Sequence, residues 1–80
     1  MADGDEASIP QRVVRALQTV RRGEADAVEI RGSWGDQELA KAVVADFVEA
    51  FEVDVTVHEL PNGFSVEARD PPNRTISIDL

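Results

Sequence analysis

Val53-Asp54-Val55-Thr56-Val57-His58, then Leu60-Pro61-Asn62-Gly63, then Phe64-Ser65-Val66-Glu67-Ala68-Arg69 is the stretch whose pattern decides the fold. Apolar and polar side chains alternate on both sides of the break, which is the period of strands that bury one face. Asn62-Gly63 between two such runs is the strongest short hairpin signal, because Asn and Gly tolerate the positive φ of a tight turn. Val53, Val55, Val57, Phe64, Val66 and Ala68 are therefore assigned to a core. Asp54, Thr56, His58, Ser65, Glu67 and Arg69 are assigned to the opposite face. Asp70-Pro71-Pro72-Asn73 interrupts the pattern, and Thr75-Ile76-Ser77-Ile78-Asp79-Leu80 alternates once more.

Upstream the period changes. Ser8-Ile9-Pro10-Gln11 carries a capping serine, a proline in the first turn and a glutamine three residues on, so a helix begins there. Ile9, Val13, Ala16, Leu17 and Val20 share one face of it, Arg12, Arg15, Gln18 and Arg22 fall elsewhere, and Gly23 ends it. Residues 25–31 alternate as a half-buried strand with Val28 and Ile30 inward. Gly32-Ser33-Trp34-Gly35-Asp36 is a turn with Ser33 or Asp36 as the next cap. Leu39, Ala40, Val43, Val44, Phe47, Val48 and Phe51 then mark the most apolar helix of the chain.

The expected fold is one α+β domain over residues 8–80, in the order αβαβββ, behind a disordered acidic tail at residues 1–7. Strands one and two flank a helix and should run parallel, whereas the later connections should be hairpins. All strands alternate, so both helices should pack on one face of a four-stranded mixed sheet as a two-layer sandwich, leaving the other face open.

Eighty residues with 42% apolar content supply one core and little more. The absence of cysteine excludes disulfides, thiolate metal sites and thiol chemistry. No apolar run approaches the roughly 18 residues of a membrane span, and no signal segment opens the chain, so a cytoplasmic protein without membrane contact is expected. Sixteen acids against eight bases give a net charge of −8, and Lys41 is the sole lysine beside seven arginines. That surface resembles the acidic cytoplasmic proteins of halophilic archaea, whose mutual repulsion is screened by concentrated salt. The same field makes nucleic acid and anionic lipid unfavoured partners.

In element order, residues 9–69, with Ile9-Pro10 before the first helix and Arg31-Gly32 before the second, resemble small βαβαββ domains. That group comprises the C-terminal domain of translation initiation factor three, the Alba chromatin proteins and the TusA-like sulfur carriers. The resemblance implies a sulfur-carrying or nucleic-acid-binding relative, and the motifs depart from both. Ile9-Pro10 stands where the carriers have Cys-Pro, so sulfur transfer does not carry over. The Alba hairpin is basic, whereas His58-Glu59-Leu60-Pro61-Asn62-Gly63 has no Lys or Arg. The leading strand of that fold is also lacking.

His58 is the only histidine and would project from the open face beside Glu67, Arg69 and Ser65, where cross-strand charge pairs are ordinary. No serine sits in a nucleophile elbow, no glycine loop has the spacing of a phosphate cradle, and no metal-ligand spacing or paired carboxylates stand out. These features point to a non-enzymatic domain without catalytic residues, cofactor or metal, engaging another protein or a second copy of itself. Trp34, His58, Glu67 and Arg69 are the candidate partner-binding residues. The alternative is a nucleic-acid-associated protein using Arg12, Arg15, Arg22 and Arg31, the main concentration of positive charge.

Overall fold

The computed structural model describes residues 8–80. The segment expected to be a disordered tail, residues 1–7, lies outside the described residues.

Helix α1 spans Ile9–Arg21. The Ser8 hydroxyl accepts the Gln11 N–H at 3.3 Å and the Gln11 side chain accepts the Ser8 N–H at 3.2 Å, a reciprocal capping box that satisfies two otherwise orphaned donors. Gly23, with φ 81°, lets the chain leave the helix in the left-handed region. Strand β1 is Ala27–Arg31, and helix α2 is Trp34–Phe51. Of the two candidate caps for α2, Ser33 is the one used: its hydroxyl accepts the Asp36 N–H at 3.3 Å. Strands β2 (Thr56–Leu60), β3 (Gly63–Glu67) and β4 (Thr75–Asp79) complete the order αβαβββ.

The four strands form one mixed sheet in the order β2-β3-β1-β4, with β3 antiparallel to β2 and β1, and β4 parallel to β1. Strands β1 and β2 run in the same direction, as a helical crossover requires, but β3 lies between them. The connection from β3 to β4 is not the expected hairpin. The chain passes over β1 through residues 68–74 and docks β4 on its far side. Asp26 anchors that crossing by accepting the Asn73 N–H at 2.8 Å and the Arg74 N–H at 3.2 Å.

Pairing lines up two rows under the helices, Val57-Val66-Val28-Ile76 and Glu59-Phe64-Ile30-Ile78. Val28, Ile30, Phe64 and Val66 are completely buried with Val13, and Leu17, Val20, Val44 and Phe47 close the layer above. Each such side chain contributes about 1.5–3 kcal/mol by leaving water. α1 packs against β1 and β4, whereas α2 packs against β1 and β3. No helix is centred over β2.

That placement corrects several core assignments. Val57 faces the helical side as expected yet is 46% exposed, and Leu39 and Phe51 of α2 are exposed as well. Val53 and Val55 precede β2 instead of forming its start, and Ala68 lies past the end of β3 on the surface. Gly63 serves a purpose other than the expected one. The turn residues are Pro61 and Asn62, neither with positive φ, and Gly63 is the first residue of β3. A Cβ there would lie 1.9 Å from the Ile30 carbonyl oxygen, so only glycine allows β3 to approach β1 at this point.

Candidate functional site

The uncovered strand creates the principal cleft. Its floor is Phe64, one wall is α2 at Lys41, Val44, Ala45 and Val48, and the other is Val55, Val57 and Glu59, enclosing about 340 Å³. Lys41 spans the opening: its ammonium lies 3.0 Å from Glu59 Oε2 and 5.5 Å from the centre of the Phe64 ring. The pair neutralises the one acid that alternation turns toward the helical side, and the rest of the lining is apolar. With Glu59 well exposed, the pair adds little to stability.

The outer side of β2 is also an unpaired backbone edge. Gly32 N–H donates to Asn62 O and Ala68 N–H donates to Asp26 O, so the even-numbered residues of β3 serve β1 and the odd-numbered serve β2. The register Leu60↔Gly63, His58↔Ser65, Thr56↔Glu67 then commits the even-numbered residues of β2 inward. The amides and carbonyls of Val57 and Glu59 face outward. Trp34, 76% exposed, is the first residue of α2 and lies seven, eleven and fourteen residues before Lys41, Ala45 and Val48. Helical geometry places it on the flank that forms the cleft wall, so it extends the apolar strip toward the hairpin end.

Three of the four expected partner-binding residues meet elsewhere. On the open sheet face His58 Nε2 lies 3.3 Å from Glu67 Oε1, and the Ser65 hydroxyl donates to Glu67 Oε2 at 3.5 Å. Arg69 lines the same shallow hollow of about 200 Å³ with Asp54, Thr56 and Asp70. Trp34 is not among its lining residues. Asp26 is the acid whose ionisation the fold alters most clearly. The Asn73 N–H holds its carboxyl below the usual carboxylate range, helped by the Arg74 N–H and the charges of Arg69 and Arg74 against a smaller opposing cost of desolvation.

The arginines do not form a continuous row. Arg12 donates to the Asp79 carbonyl oxygen at the end of β4, Arg22 pairs with Glu24 at 3.4 Å, and Arg31 pairs with Glu29 at 2.9 Å on the open face. Arg12 and Arg15 do flank a groove of about 260 Å³ between α1 and β4, floored by Ile76 and Ile78. Arg21, which the sequence did not single out, stacks over the Phe51 ring at 4.6 Å and ties the ends of the two helices together. Among the described residues no three His, Asp or Glu side chains gather to hold a metal ion, and no helix is long and apolar enough to cross a membrane.

The α2/β2 cleft is the feature the sequence left unassigned. Its signal was the composition of α2, where Ala42, Ala45, Val48 and Ala50 continue the apolar surface beyond one buried stripe. No protein-family model, no curated protein and no solved structure matches the chain.

Proposed function

We propose that this chain is a non-enzymatic protein-binding domain of the cytoplasm that takes its partner at the β2 edge and the adjoining α2 flank. The observation that carries this reading is Val57, 46% exposed in the middle of a strand whose outer backbone is unpaired and whose helical side is uncovered. A strand added there gains main-chain hydrogen bonds from Val57 and Glu59, while its alternate side chains reach the apolar cleft. Val55, Val48 and Trp34 supply contact area whose burial does not depend on charge, which matters for a molecule carrying −8. The His58, Glu67 and Arg69 hollow is polar and small, so it contributes rim contacts instead of an anchor.

Nucleic-acid binding is the weaker reading. Arg22 and Arg31 are engaged by acids, Arg12 is occupied at β4, and the net charge opposes a polyanion. A photo-crosslinking residue placed at Val57, and in a parallel sample at Ser77 on the other edge, tests the proposal in cells. Covalent capture of a discrete protein from position 57 supports it. Capture from position 77 alone, or of nucleic acid from either, contradicts it.

A further inference from the structure

Resting on that reading of the β2 edge, we infer that its occupant is β2 of a second copy, joined antiparallel across a two-fold axis into an eight-stranded sheet. A two-fold pair of these edges forms backbone bonds only when outward-facing residues meet, which leaves three central pairings: Val57 with Val57, Val57 with Glu59, or Glu59 with Glu59. The third sets two carboxylates opposite each other. The second places both Glu59 side chains across from valine and centres two His58 rings on one another. The first puts Val57 against Val57, His58 across from Thr56, and Glu59 across from Val55, so no like charges oppose one another and each Glu59 keeps its own Lys41. Glu59 thus makes the edge selective of register. A charged side chain turned inward on an edge strand disfavours indiscriminate pairing, and here it tolerates one alignment with itself.

The other edge does not offer the same pairing. Along β4 the outward groups belong to Thr75, Ser77 and Asp79, since Leu80 N–H donates to Arg31 O and Arg74 O accepts from Ala27 N–H. The Asp79 carbonyl is already taken by Arg12, and Arg12 and Arg15 stand over the adjoining groove, so a strand arriving there displaces a bond and meets two cations. Each copy carries −8, so the long-range force between copies is repulsive and fades as the Debye length falls from about 10 Å at 0.1 M salt to about 3 Å at 1 M. Self-association therefore strengthens with salt. A cationic partner strand would show the opposite dependence.

Sedimentation equilibrium of the full chain at rising protein concentration, in a potassium chloride series from dilute to multimolar, reads the association directly. The expected result is a reversible monomer–dimer equilibrium that tightens with salt. Val57→Lys should weaken it by at least about tenfold, by opposing two ammonium groups at the axis, while Ser77→Lys leaves it unchanged. Circular dichroism confirms that both variants fold. A monomer at every salt up to about 1 mM protein, a dimer that survives Val57→Lys, or one that Ser77→Lys abolishes overturns the inference. If the chain stays monomeric while the crosslinker at Val57 still captures another protein, the dimer is refuted and the docking edge stands. If neither association occurs, both fall.

Discussion

The two edges of the sheet are built from similar strands and end up in different states. Along β4, Ile76 and Ile78 lie half-buried under α1, and Arg12 closes the last outward carbonyl. Along β2, Val57 and Glu59 occupy the matching rows, α2 stands one strand further in, and the outward backbone is bare. The difference comes from where two helices can sit. Helices pack about 8–10 Å apart and strands about 4.8 Å apart, so a pair that is shifted toward β4 leaves the opposite strand beyond its cover. An edge of this kind is ordinarily an aggregation hazard, and it persists here with only an inward glutamate to restrict what joins it.

The largest expected effect concerns how β2 is attached. It touches the rest of the sheet only through β3, and β3 approaches β1 closely at Gly63. Gly63→Ala should cost about 3 kcal/mol or more, measured by urea unfolding, because the new Cβ meets backbone that cannot yield. A loss under about 1 kcal/mol would mean that β3 can withdraw freely and that the β2 edge is not rigidly placed.

Next in size is the contrast between corresponding inner-face residues. Ile78→Ala should cost about 2 kcal/mol under the cover of α1, whereas Val57→Ala in the isolated chain should stay within about 0.5 kcal/mol. Equal losses would erase the distinction between the edges. A gain is expected at Glu52, the residue that turns α2 toward β2. It adopts φ 54° without being glycine, and it sets a negative charge at the negative end of the helix dipole. Glu52→Gly should therefore raise stability by about 1 kcal/mol in thermal melts.

The smallest effect sharpens the β4 side. Asp26 holds the crossing that delivers β4, and its carboxyl is depressed in the folded chain, so its contribution is present above the unfolded value near 4 and is lost as pH falls through the folded one. Asp26→Asn should lower the melting temperature at pH 7 and should converge with the parent below about pH 3. A difference that persists at low pH would assign the effect to packing instead of to the charge.

The strand and helix periods were legible because each follows from local alternation, and the Ser8 capping box was legible because it spans three residues. Strand order was not, since Thr75–Asp79 reads the same whether it pairs with β3 or crosses to β1. Val57 looked like core for that reason: alternation reports which face a side chain takes and is silent on whether anything covers that face. Gly63 was read as a turn residue when its necessity lies in a contact with Ile30, 33 positions away in sequence. Trp34 was visible as an anchor candidate, but its place beside the cleft emerged only once α2 was seen to begin at that residue.

The distinction between the two edges is tested most directly by amide hydrogen exchange, resolved by residue and compared between dilute low-salt and concentrated high-salt samples. The expected result is slowed exchange at Val57 and Glu59 on association, with Thr75 and Ser77 unchanged. Protection that appears at Ser77 while Val57 and Glu59 continue to exchange freely would contradict it, and would make β4 the edge this molecule uses.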